Sequence, residues 1–178
     1  MDQNIYTFHK FHSVFILPIK KNNYLRKKLL NIIKLEWKLI LINEGSLTQV
    51  LHSLSGNKLK IQMFQKSNKY YKNIRSIWLE DSLYTKLIFA RSMWMYKYIN
   101  EINNKIKNKK PLGKSIIISQ IDILRKIHEI NYGYCQYLEY KFQSNIPIWG
   151  RKYTLYYNNK AYITVQEFFS PYIANFFK

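Results

Sequence analysis

From Tyr24 to Asn43 the apolar residues Leu25, Leu29, Ile32, Ile33, Trp37, Ile40 and Leu41 recur at helical spacing, which predicts an amphipathic helix. Ser46 stands where it would cap a second, shorter helix over Leu47 to Leu54, closed by Ser55-Gly56. The pattern then changes period. Lys58 to Gln65, Asn73 to Glu80 and Tyr84 to Trp94 alternate or carry β-rich runs between polar turns, as an antiparallel meander does. Met95 to Lys107 returns to helical spacing and stops at Asn108-Lys109-Lys110-Pro111, while Gly113 to Ser119 fits no single period. Ile123 to Tyr134 reads as a further strand and Gln136 to Phe142 as a turn of helix. Residues 1–22 show no sustained period and are read as a peripheral arm, with residues 23–178 forming one domain. About six strands, with helices grouped early and midway, give an α+β class with a mainly antiparallel sheet.

The last two strands carry the first chemical signal. Arg151 to Tyr157 and Ala161 to Phe169 are joined at Asn158-Asn159-Lys160, a turn composition that predicts a β-hairpin. Alternation sets Ile163, Val165, Glu167 and Phe169 on one face and Tyr162, Thr164, Gln166 and Phe168 on the other, so Glu167 occupies an apolar position. A loop with an odd number of residues keeps the faces unmixed: Tyr153 and Leu155 then meet Val165 and Ile163, Thr154 meets Thr164, and Arg151 falls opposite or diagonal to Glu167. Two readings fit this placement. Glu167 and Arg151 form a buried ion pair that satisfies itself, or Glu167 is a general acid or substrate-binding carboxylate.

Composition narrows the setting. A chain of 178 residues with 47% hydrophobic content is long enough for one well-buried domain and short for two. The net charge of +19 attracts polyanions without needing a specific site. Yet five arginines stand against 24 lysines, and Asn, Ile, Tyr and Phe abound, as in the product of an AT-rich gene. Much of the charge then reflects codon drift, and each arginine becomes informative, because lysine cannot copy planar, bidentate carboxylate recognition. The single cysteine, Cys135, excludes an internal disulfide and a multi-cysteine metal site. Leu29 to Ile42, the most apolar run, is broken by Lys34, Glu36 and Lys38 and is too short and charged to span a bilayer. The start of the chain carries no signal-peptide pattern, so a soluble protein is expected.

Three other constellations fail. Gly113-Lys114-Ser115 ends like a phosphate-binding loop, but Asn108 stands where the first glycine is required. His9 and His12 lack acidic or cysteine partners, so no metal site is assigned. Lys105, Lys107, Lys109 and Lys110 read as a solvated helix end, and the aromatics form no recognisable RNA-binding signature, so no specific nucleic acid is expected.

Four blocks, in order over residues 44–171, resemble the chorismate lyase family, and in particular its plastid-encoded algal branch. They are Glu44-Gly45-Ser46-Leu47-Thr48; Ile77-Trp78-Leu79 with Phe89-Ala90-Arg91-Ser92; Lys110-Pro111-Leu112-Gly113; and Trp149-Gly150-Arg151 with Glu167-Phe168-Phe169-Ser170-Pro171. The resemblance implies helices on one side of an antiparallel sheet and a small pocket beneath mobile loops. It implies cofactor-independent cleavage of chorismate, a dianion, to 4-hydroxybenzoate and pyruvate for quinone synthesis. It further implies a monomer or weak oligomer in the plastid stroma.

By the same resemblance Glu167 matches the catalytic glutamate, and Arg91 matches an arginine at the pocket. Leu112 matches the Pro-Leu-Gly leucine, and Leu47 a position whose backbone helps hold the ring carboxylate. The chain departs from the family where a carboxylate-binding arginine follows Trp-Leu: Glu80 and Asp81 stand there, and Arg75 on the same strand is the candidate replacement. Two alternatives accompany the enzyme: a non-catalytic binder of aromatic acids with the same fold, and a basic organellar RNA-associated protein.

Overall fold

The computed structural model describes residues 11–19, 31–69, 72–95, 123–158 and 160–177. Seven strands form one antiparallel sheet in the order β1-β5-β6-β7-β4-β3-β2. They are β1 (His12–Pro18), β2 (Lys60–Lys69), β3 (Lys72–Glu80), β4 (Lys86–Met95), β5 (Leu124–Tyr134), β6 (Ile148–Tyr157) and β7 (Lys160–Phe169). The helices are α1 (Leu35–Leu41), α2 (Leu47–Ser55), α3 (Gln136–Phe142) and a final 3-10 helix, Pro171–Phe177.

The α+β class holds, with two corrections. His12–Pro18, within the expected peripheral arm, is the edge strand beside β5, and Leu17 is fully buried against Ile130. The arm lacked a visible period because only alternate residues of an edge strand face the core, and here those are Phe15 and Leu17. The helices also do not all lie on one side. α1, α2 and the 3-10 helix bury Ile40, Leu41, Leu47, Leu51 and Ile173 against Leu79, Ile88 and Phe169. Leu138 and Phe142 of α3 pack on the opposite face against Trp78, Phe89 and Phe168.

The first helix is shorter than its pattern. Residues 31–33 form turns, and the helix begins only at Leu35; the remainder of the predicted span, residues 24–30, lies outside the described residues. The second helix follows its signals, with Ser46 at the N-cap and Gly56 closing it at φ 66°. The predicted helix over Met95 to Lys107 and the stretch Gly113 to Ser119 also lie outside the described residues.

The hairpin pairs as alternation required: Tyr153 with Val165, Thr154 with Thr164, Leu155 with Ile163, and Arg151 with Glu167. The loop itself is not odd. Tyr157 pairs with Lys160 across two residues, Asn158 takes φ 46°, and a register shift beyond Leu155 adds the extra residue on β7 that restores the expected pairing. Gly150 lets the strands close here, since a Cβ would sit 2.8 Å from the Phe168 ring and 3.0 Å from the Glu167 carbonyl.

Candidate functional site

The α1/α2 face of the sheet holds a cavity of about 60 Å³ lined by Ser46, Leu47, Thr48, Arg75, Ile77, Leu79, Ala90, Ser92, Arg125, Tyr153, Val165 and Glu167. Five neighbouring strands supply it. Ile77, Ala90 and Glu167 share one cross-strand row, and Arg75, Ser92, Val165 and Tyr153 share the next.

Glu167 is held by two donors. Arg151 Nε donates to Oε2 at 2.7 Å, and the Tyr153 hydroxyl donates to Oε1 at 2.9 Å. Burial, and then the Glu167 charge, push the Tyr153 phenol far above its ordinary range, so it stays protonated and donating. Both carboxylate oxygens accept, each with lone-pair capacity remaining for a ligand hydroxyl.

Arg151 faces away from solvent altogether. Its Nη1 donates to the carbonyls of Ile40, Leu41 and Asn43 at 3.0, 3.2 and 2.9 Å, the C-terminal end of α1. A cation at a helix C-terminus satisfies orphan carbonyls and complements the dipole. Arg151 is therefore a positioning residue: it ties the loop before α2 to the carboxylate and does not line the cavity.

Arg75 and Arg125 differ from it. Arg75 is buried, and its Nε and Nη2 have no hydrogen-bond partner. Burial pulls its guanidinium below the ordinary value. Arg125 stacks on Tyr153 with its Cζ 4.7 Å from the ring centre, and its Nη1 donates to the carbonyls of Asn43 and Gly45 at 3.0 and 3.1 Å. Its buried Nε has no partner. Between them opens the N-terminus of α2, whose first N–H groups lack intrahelical acceptors. The Ser46 hydroxyl bonds Thr48 Oγ1 at 3.0 Å instead of capping the backbone. Buried guanidinium donors at a helix N-terminus are costly unless an anion completes them.

The sequence candidates divide accordingly. Glu167, Arg75 and Leu47 line one cavity, and Arg151 supports it from behind. Arg91 is not brought to it: Arg91 pairs with Gln166 and Ser76, and alternation turns it to the opposite face, while Ala90 takes the place across from Glu167. Leu112 lies outside the described residues. Glu80 does not intrude either, because a register shift ends the strand there and its carboxylate bonds Lys86 at 3.0 Å. Arg125 was missed as a site residue. Its signal was present, as one of five arginines in a lysine-rich chain, but β5 contributes nothing local that says which arginines converge.

Residues 41–177 match the family model described as chorismate pyruvate-lyase Rv2949c-like. The chain belongs to that family. An uncharacterized protein ycf21 from Antithamnion sp. is 41% identical over 181 residues, covering 98% of each chain. That from Porphyra purpurea is 34% identical, covering 79% of this chain and 83% of its own. These relatives are plastid-encoded. Among solved structures, PhnF from Mycobacterium smegmatis superposes with a TM-score of 0.54 at 9% identity, over 73% of this chain. The match spans 65% of PhnF, just under two thirds of its length, and 91% of the separately solved PhnF effector domain, again at TM-score 0.54 and with 8% identity. At such identities the likeness establishes the fold alone.

Proposed function

We propose that this chain is a chorismate pyruvate-lyase that eliminates pyruvate from chorismate and leaves 4-hydroxybenzoate. The observation that carries this reading is the pair of incompletely partnered guanidiniums, the buried Arg75 and the half-buried Arg125, on strands to either side of Glu167 and lining the cavity with the α2 N-terminus. Such a site offers cationic donors to carboxylates and an acceptor to a hydroxyl, and its volume of about 60 Å³ encloses part of a chorismate-sized dianion. The arginines and the first N–H groups of α2 hold the carboxylates, and Glu167 accepts from the ring hydroxyl.

Cleavage breaks the ether bond at C3 while C4 loses its hydrogen as a proton and the ring becomes aromatic; pyruvate takes up a proton, so no oxidant or reductant is needed. The residues therefore have two tasks, to hold the reactive conformer and to stabilise the negative charge growing on the departing enolpyruvate oxygen. An arginine suits the second task. Of the two roles open to Glu167, proton donor to that oxygen or holder of the ring hydroxyl, the second is the one this proposal takes, because both carboxylate oxygens already accept from Arg151 and Tyr153. The plastid-encoded relatives support a plastid location, where the product would serve quinone synthesis.

A second reading, a non-catalytic binder of aromatic acids, is favoured by the shared fold with the PhnF effector domain. Chromatography of chorismate incubated with purified protein separates the two. Release of 4-hydroxybenzoate and pyruvate in equal amounts, lost in Arg75→Met and Arg125→Met, is the result expected. Saturable chorismate binding without product would refute the lyase and leave the binder. No binding would refute both.

A further inference from the structure

Tyr153 lies between the acceptor and one of the cations of the cavity. Arg151 pairs with Glu167 and Leu155 pairs with Arg125, so Tyr153, between them on β6, is diagonal to Glu167 on one side and to Arg125 on the other. Its hydroxyl donates to Glu167 Oε1 at 2.9 Å, and its ring centre lies 4.7 Å from the Arg125 Cζ. The side chain lines the cavity and is buried. Its neighbours Leu155, Ile163 and Val165 ask only for an apolar group of this size, and phenylalanine would fill the place without burying a hydroxyl. The chain instead buries a phenol whose one proton goes to the candidate acceptor.

The hydroxyl and the ring fix different things. Without the hydroxyl, Glu167 is held among the described residues by Arg151 through Oε2 alone, and its plane is free to turn about that one bond. Arg125 is tied through Nη1 to the carbonyls of Asn43 and Gly45, and a single nitrogen does not set the plane of a guanidinium. Stacking on the Tyr153 ring sets it. A guanidinium stacked on an aromatic face keeps its in-plane N–H groups for a ligand, and the buried Nε of Arg125 has no other partner.

We propose that Tyr153 is a positioning residue of the elimination, its hydroxyl aligning Glu167 on the ring hydroxyl of the substrate and its ring holding Arg125 for a substrate carboxylate. This rests on the lyase reading above. The two contacts then act on different kinetic constants. An arginine grips a carboxylate in ground state and transition state alike, so the Tyr153 ring governs KM. Alignment of Glu167 selects the reactive conformer of a substrate already bound, so the hydroxyl governs kcat.

Steady-state kinetics of the full chain with chorismate test this, each variant being assayed below its own melting midpoint. Tyr153→Phe keeps the ring and is expected to lower kcat about tenfold while KM stays within about twofold of wild type. Tyr153→Leu loses both contacts and is expected to lower kcat as far and to raise KM about tenfold. In an Arg125→Met background, Tyr153→Leu should change KM by less than about twofold, because the ring acts through that arginine. A side chain that only filled the core would lower melting temperatures without this split. Wild-type kcat in Tyr153→Phe would overturn the proposal, as would an unchanged KM in Tyr153→Leu or a KM effect that persists without Arg125. Should Tyr153→Leu not fold, kcat of Tyr153→Phe decides alone. If wild type binds chorismate and releases no product, the lyase reading and the kinetic role of the hydroxyl fall together; the hold of the ring on Arg125 is then read by titrating chorismate, and an equal dissociation constant in Tyr153→Leu would overturn that as well.

Discussion

Replacing Glu167 by glutamine is the direct probe of the carboxylate, and the structure predicts that it disturbs the fold as well as the chemistry. The carboxylate accepts from Arg151 and Tyr153 on its two oxygens. An amide offers one acceptor oxygen and places N–H donors where the second acceptor was, so one of the two donors loses its partner. That loss alone costs about 1–3 kcal/mol. Arg151 is wholly buried and keeps its charge, and removing one member of such a pair typically costs about 3–5 kcal/mol in all. For a chain of this size a drop of about 3–5 kcal/mol lowers the melting temperature by roughly 6–20 °C. Thermal unfolding followed by circular dichroism measures it. Adding Arg151→Met to Glu167→Gln should then cost much less than Arg151→Met does alone, because no unpaired charge remains to be buried. A Glu167→Gln midpoint within about 2 °C of wild type would refute the reasoning, as it would place the cost below ~1 kcal/mol. Turnover of this variant is to be read below its own midpoint, where loss of activity reports on the site.

Gly133→Ala should loosen the edge strand, since its Cβ would lie 2.2 Å from the His12 carbonyl oxygen in β1; a cost of about 1–3 kcal/mol in urea unfolding is expected, and faster hydrogen exchange of β5 amides should mark the site. Tyr84→Gly relieves the left-handed strain and should raise stability by about 1 kcal/mol in the same assay. His128 bonds Thr154 at 2.8 Å, and burial, then Lys126 and Lys152, hold its pKa below the ordinary 6.5. The unfolded chain binds that proton more readily, so the stability His128 contributes is present above pH 6.5 and is lost as pH falls toward the lowered folded value. Unfolding across that window should show a shallower acid slope in His128→Gln.

Much of the architecture was written in local pattern. The meander, the shift to β5, the Gln136–Phe142 helix and the pairing of Arg151 with Glu167 follow from spacing, because alternation and a buried face leave a strand one workable register. The scarcity of arginine marked which cations carry geometry, the family blocks pointed to Glu167 and Leu47, and the departure from the family after Trp78-Leu79 pointed to Arg75; these three line one cavity. What sequence spacing could not supply was how distant strands add up. Arg91 sits in one of the family blocks, yet pairing across β3 and β7 turns it to the far face; Arg125, in no block, reaches the cavity because β5 joins the sheet beside β6. Arg151 looked like a partner for one carboxylate and proved also to hold three carbonyls at the end of α1, more than a hundred residues away in sequence. Alternation is a property of one strand, whereas convergence is a property of the sheet, and only the folded chain decides which side chains share a cavity and which charges are left there without a partner.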